Sequence, residues 1–267
     1  MQVLGFCRFS YPAHGGFQTE HETIDERIRF LYADERLEER FRIFEAFTLA
    51  SLQAQTDPDF TLIVLIGEDM PVHRREQLEA LLKGLPQARL LAMAPGRHRA
   101  VVGGVINQFR RNDGQPCIQF RMDDDDAVSR DFVQKTRAVA NEVRPLIDRS
   151  RLTAIDFTQG HIAQPMAKGI LAEPTARQYW VPSLSVVARP GEKLTVMNFN
   201  HVKLWRFMPT ITLHDPDMYV RGISNWNDSG TRTGPDAAFM DKTGEDLFRT
   251  RYGICANRVR EIYRGVP

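Results

Sequence analysis

Cysteine is scarce in this chain of 267 residues: Cys7, Cys117 and Cys255 are the full set. Three thiols, far apart and in no CxxC arrangement, argue against a disulfide framework or a structural zinc site. Cys7 and Cys117 fall in expected strands, where a buried, inert thiol is the default. An excess of one charge is missing too. Lys and Arg number 35 against 34 Asp and Glu, a net charge of +1, which gives no nucleic-acid binder driven by bulk charge. The sequence has no repeat of fixed period, no low-complexity tract and no apolar stretch of signal-peptide or membrane-spanning form. The expectation is a cytoplasmic protein, with peripheral attachment to a membrane left open.

What is present is enough apolar character, 42% of residues, for a sizeable core. Residues 2–9 read as a first strand carrying Val3, Leu4, Phe6 and Phe9, and Ser10 to Phe17 as a loop. Loops at the carboxyl end of a sheet strand are where α/β proteins hold ligands, which makes Ser10 and Tyr11 candidate contacts. From Leu37 to Gln55, apolar residues recur at helical spacing at Leu37, Phe41, Phe44, Phe47 and Leu52. The near-continuous apolar run Phe60 to Ile66 is the pattern of a strand covered on both faces. A helix over 73–84, a strand from Ala88 to Ala94, a helix over 100–110, a strand from Pro116 to Met122 and a helix from Ser129 to Arg144 follow. This alternation argues for right-handed βαβ crossovers and a mostly parallel sheet flanked by helices, a Rossmann-like α/β class.

After Pro145 the pattern changes. Leu152–Phe157, Ile162–Ala172, Tyr179–Ala188, Leu194–Phe199, Pro209–Leu213 and Met218–Ile223 read as short strands, and 234–248 and 252–263 as terminal helices. The expectation is one domain over 1–267, with an amino-terminal half over 1–145 and a mixed or antiparallel half over 146–267.

The stretch Arg121-Met122-Asp123-Asp124-Asp125-Asp126 is the chemical centre of the chain. Two readings are open. One is a solvated acidic turn, with Asp126 or Ser129 capping the next helix. The other is a site for a hard divalent cation, Mn²⁺ or Mg²⁺, which takes oxygen ligands. Strand alternation would put Asp123 with Asp125, and Asp124 with Asp126.

A strand ending in clustered aspartates at the close of a βαβαβαβ half resembles the GT-A class of glycosyltransferases. Together with the Phe9-Ser10-Tyr11-Pro12 loop, the run Asn200 to Leu204 and the run Asp215 to Ser229, the sequence is similar to a bacterial family of rhamnosyltransferases, over nearly its whole length. The resemblance implies an Asp-x-Asp motif that holds a metal against the diphosphate of a UDP, GDP or dTDP sugar. It implies transfer to a saccharide or lipid-linked acceptor in surface polysaccharide synthesis. Asp125 is the first choice for a metal ligand. Asp123 would contact the ribose, or the metal through water, and Asp126 is the second-choice ligand. Asp124 and Arg121 are nucleotide-side candidates, with Arg121 equally readable as a partner of the acidic cluster; Arg97 and Arg99 read either as an exposed pair or as contacts for a phosphate or the sugar. The family pattern places a histidine where this chain has Ser224, so that role would pass to His201 or His214 or be absent.

An inverting transfer needs a base. Asp236, at the start of an expected helix, Asp156 and Asp228 are the carboxylates considered, and Trp180, Trp205 and Trp226 the stacking candidates. Two other classes remain. One is a nucleotidyltransferase or phosphosugar enzyme, against which the absence of a Lys near the Ser10–Phe17 loop counts. The other is a non-catalytic protein binding nucleotide sugars on the same scaffold.

Overall fold

Strand β2 (Thr61–Gly67) is buried along almost its whole length, as its unbroken apolar run requires. The computed structural model describes residues 1–16, 19, 21–227 and 232–266. Before β2 come β1 (Gln2–Arg8), α1 (Ile24–Leu31), α2 (Asp34–Ile43), a π-helical turn (Phe44–Leu49) and α3 (Ala50–Gln53). After it come α4 (Val72–Leu82), β3 (Ala88–Met93), α5 (His98–Phe109) and β4 (Cys117–Asp123). The acidic turn leads into β5 (Ala127–Val128), α6 (Phe132–Glu142) and α7 (Arg144–Arg149). The remainder is β6 (Leu152–Phe157), β7 (Gln159–Met166), β8 (Gly169–Ala176), β9 (Leu184–Ala188), β10 (Thr210–Leu213), β11 (Tyr219–Gly222), β12 (Ala238–Phe239), α8 (Lys242–Tyr252) and α9 (Ala256–Ile262).

One sheet has seven strands in the order β10-β6-β9-β4-β1-β2-β3. The strands β4, β1, β2 and β3 are parallel, and β9 runs antiparallel between β4 and β6. This is the expected α/β class. Alternate β2 residues face two cores. Leu62, Val64 and Ile66 meet Phe9, Leu37, Phe41, Phe44 and Leu78 on one side. Ile63 and Leu65 meet Leu4, Phe6, Val102 and Ile106 on the other. A second sheet, β12-β8-β7-β11-β5, packs through Ala163 and Val220 against Phe47, Phe248 and Tyr252. Its strand β5 follows the acidic turn directly, so the turn sits at the seam of the two sheets.

Several expected elements differ. The span Ile162–Ala172 is part of the β7–β8 hairpin, which turns just before Gly169 at φ +132°. Leu194–Phe199 is no strand: Thr195 and Asn198 form a reciprocal cap on a 3₁₀ turn over Val196–Asn198. The Tyr179–Ala188 run becomes extended only at Leu184, after a 3₁₀ turn that contains Pro182. The helix expected over 234–248 begins at Lys242, because the Asp241 side chain accepts the Gly244 N–H and caps it there. Asp236 opens no helix. Helix α1, with its Thr23–Glu26 capping box, was not expected, since half of its sequence IDERIRFL is charged.

Gly5 shows how closely β1 and β4 are fitted. A Cβ there would run into the Phe120 ring, which is itself packed edge-on against Phe132 at 5.1 Å. Gly5→Ala should therefore destabilise the fold by about 1–3 kcal/mol. Urea denaturation checks this, and Phe120→Leu in the same chain should recover part of the loss.

Candidate active site

Strand β4 stops being extended at Asp123. The Asp126 N–H donates to the Asp123 carbonyl over 3.3 Å, and the Asp123 N–H donates to the Asp126 carboxylate over 3.2 Å. This closed turn replaces the expected two-by-two alternation. Asp123, Asp125 and Asp126 come together with ligand atoms within 4.8 Å of one another, while Asp124 turns to Arg40. The solvated-turn reading fails on burial: Asp124, Asp125 and Asp126 are 5%, 2% and 0% exposed. Nor does Asp126 cap a helix, because β5 intervenes and α6 starts at Phe132.

Buried carboxylates need counter-charges, and two arginines from distant elements supply them. Arg40 of α2 donates to Asp125 over 3.1 Å and is paired with Asp124. Arg221 of β11 donates to both Asp126 oxygens at 2.9 and 3.0 Å and to Asp123 at 3.3 Å, and lies 4.0 Å from Asp125. Gly222 makes this approach possible, because a Cβ there would overlap the Asp125 carbonyl. Arg8 adds a longer contact to Asp123, 3.8 Å, from its register partner position on β1. Burial pushes the Asp123 carboxyl up, but Arg8, Arg221 and Arg121 together outweigh it and hold the group below the usual range. Arg40 is buried too, yet Asp124 and Asp125 keep it firmly charged.

The turn forms one wall of a cleft of about 420 Å³, within the usual range for small-ligand sites. Arg8, Arg36, Arg40, Arg121 and Arg221 all line it, with Asp123, Asp124 and Asp125. Arg121 faces Met197 at 3.9 Å and makes no ion pair within 4.0 Å among the described residues. Burial lowers the His98 pKa to about 3, reinforced by Arg8 and Arg121. Burial also lowers that of His201, against the pull of the Tyr179 carbonyl, which lies 2.6 Å from its Nδ1. Both imidazoles are therefore neutral at pH 7, and the Tyr179 contact makes Nδ1 of His201 the donor.

Of the residues singled out in the sequence, Ser10, Arg121, Asp123, Asp124, Asp125, His201, Trp180 and Trp226 line the cleft. Ser10 holds a left-handed φ of +50° and accepts from Arg36 over 2.9 Å. Tyr11 is buried beside the cleft, donating to the Ala94 carbonyl. Arg97, Arg99 and Asp236 are exposed and do not line it. Trp205 is exposed, and His214 bonds with Thr158 away from the cleft. His201 stands outside the group of three carboxylates. Asp156 lies behind the wall in β6, accepting the Tyr179 N–H at 2.9 Å. Asp228 is outside the described residues. Ser224 donates to Asn227, whose amide donates to Asp125 over 2.9 Å. The position that lacks a histidine thus braces the carboxylates indirectly.

Arg8, Arg36, Arg40, Arg221 and Asn227 also line the cleft and are not among the candidate site residues of the sequence. Arg36 and Arg40 carried a signal: they stand one turn apart on the same helix face as Leu37, Phe41 and Phe44, and a charge on an apolar stripe needs a partner. Arg221 carried none, because its partners are 95 to 98 residues away.

Removing one member of a buried pair leaves the other uncompensated. Arg40→Leu should cost about 3–5 kcal/mol in urea denaturation, and Asp125→Asn should cost less because Arg40 keeps Asp124. A second test uses Asp156, whose pKa burial raises to about 6, above an unfolded value near ~4. Its stabilising contribution is whole below that unfolded value and is lost as pH rises through about 6. Relative to the parent, Asp156→Asn should therefore gain up to about 3 kcal/mol in going from pH 4 to pH 8. Thermal melts at the two pH values check this, and an unchanged difference would contradict it.

Curated proteins give no match to the chain. Among solved structures it is similar to S. aureus TarS 1–349, at TM-score 0.47 and 11% identity, covering 83% of this chain and 60% of that one. It is similar to the same protein in complex with UDP, at TM-score 0.46 and 13% identity, covering 84% and 61%. UDP-glucose pyrophosphorylase complexed with UDP-glucose aligns at TM-score 0.32 and 8% identity, over 98% and 97%. The chain spans about three fifths of the length of the TarS 1–349 structures. A family model described as "Putative rhamnosyl transferase" matches residues 2–236, and the chain belongs to that family.

Proposed function

We propose that the protein is a metal-dependent glycosyltransferase that takes a sugar from a nucleotide-sugar donor. The observation that carries this reading is the cleft itself: three clustered carboxylates beside five guanidinium groups, in a member of this family. Such a mixture suits a ligand with two phosphates better than an uncharged one.

The donor set fits a hard divalent cation. Asp123, Asp125 and Asp126 offer only oxygens, and Asp125 Oδ1 is buried with no hydrogen-bond donor among the described residues. Mn²⁺ or Mg²⁺ held by Asp125 with Asp123 or Asp126 would neutralise charge developing on the leaving nucleoside diphosphate. The chain's own groups do the rest. Arg8 and Arg121 face the cleft as phosphate partners. Trp180 and Trp226 offer faces for a sugar or base. Since neither Asp156 nor Asp236 lines the cleft, the neutral His201 is the better placed group to take the acceptor proton. We propose a saccharide or lipid-linked acceptor and a cytoplasmic, surface-polysaccharide role. Among the described residues no helix is long and apolar enough to cross a membrane.

Thermal melting with UDP, GDP and dTDP, each with and without Mn²⁺, tests the reading. One nucleotide at a hundred times its Kd should raise Tm by roughly 5 °C or more, and only with the metal. Asp123→Asn and Asp125→Asn should each remove the rise while retaining a cooperative melt. If none of the three nucleotides shifts the unmutated protein, the reading loses its basis.

A further inference from the structure

Six large apolar side chains of the described residues are exposed, and three of them, Val202, Trp205 and Phe207, occur within six residues, 49%, 56% and 61% exposed. They lie on or beside the 3₁₀ turn His201–Arg206. The turn is anchored, since Leu204 and Met208 are buried in the core that contains Leu4, Phe6 and Val186. The outward aromatics are thus presented by a fixed piece of backbone. Lys203 and Arg206 are exposed between them, with the Arg206 guanidinium 5.1 Å from the Trp205 ring centre. No Asp or Glu occurs between Glu192 and Asp215, in a chain with 34 of them.

Exposed aromatics interleaved with basic side chains, in a segment that carries no carboxylate, match the chemistry of an anionic lipid surface. Trp and Phe lodge at the headgroup level, while Lys and Arg keep their charges among the phosphates. A protein partner would need shape that a single turn does not offer, and a second copy would bring Lys203 and Arg206 against their own like charges. The turn also opens at the active cleft, where His201 is a lining residue. We infer that residues 202–207 form a membrane-docking surface for anionic phospholipid, which holds the mouth of the cleft at the bilayer. This extends the transferase reading, for which a lipid-linked acceptor would arrive from that side. It is tested without donor or metal, so its failure would leave that reading untouched.

Sedimentation of the full chain with vesicles provides the test. The unmutated protein should bind phosphatidylcholine–phosphatidylglycerol vesicles at least about tenfold more tightly than pure phosphatidylcholine vesicles at low salt, with the difference shrinking as salt is added. Trp205→Ser with Phe207→Ser should weaken binding to the mixed vesicles about tenfold or more. Lys203→Gln with Arg206→Gln should abolish the lipid preference. All four positions are exposed, and an unchanged Tm verifies each fold. The inference is overturned if the unmutated protein binds neither vesicle, or if the variants bind like the parent. It is also overturned if the chain dimerises in sedimentation equilibrium and Trp205→Ser abolishes the dimer.

Discussion

Everything at the candidate cleft depends on one turn that carries four aspartates and holds three of them, Asp124, Asp125 and Asp126, out of water. Like charges about 4 Å apart near a protein surface repel by roughly 4 kcal/mol per pair, so the turn could not persist on its own backbone. Arg40 reaches it from α2 and Arg221 from β11. These two ties bind the helical layer and the second sheet to the carboxyl end of β4. The glycine at 222 lets β11 come close enough to make one of them. The Thr48 hydroxyl, donating to the Asp126 carbonyl over 2.7 Å, adds a third tie from the π-helical turn.

The arrangement bears on how a cation would be received. The Arg221 guanidinium is already within 4.0 Å of Asp123, Asp125 and Asp126. An incoming divalent ion would meet that positive charge and would be favoured by an anion arriving with it. A diphosphate is such an anion, and Arg8 and Arg121 line the same cleft. Metal and donor would then bind as a cooperative pair, each lowering the electrostatic cost of the other. Asn227 plays a quieter part: it carries the turn that begins at Ser224 and fixes one oxygen of Asp125.

The legible part of the fold was the part set by local periodicity. The β2 run and the α2 stripe fixed two layers of the amino-terminal half, and both are where their apolar spacing put them. The acidic stretch stood out in the sequence, but nothing local told a solvated turn from the turn that buries Asp124, Asp125 and Asp126. What stayed hidden was long-range. Arg221 becomes a partner only through the pairing of β11 with β5 and β7. In the second half short apolar runs were ambiguous: Leu194–Phe199 is as apolar as a strand, but Thr195 and Asn198 cap it into a turn. Asp236 was misplaced for a related reason, because the carboxylate that starts the helix is Asp241.

The most direct test of the central claim is the anomalous scattering of Mn²⁺ in crystals grown with the nucleoside diphosphate that binds best. The account predicts one strong peak within coordinating distance of Asp125 and of Asp123 or Asp126, with the diphosphate beside it and near Arg8 or Arg121. A nucleotide bound in the cleft with no manganese peak at these carboxylates, or manganese bound elsewhere, would contradict it.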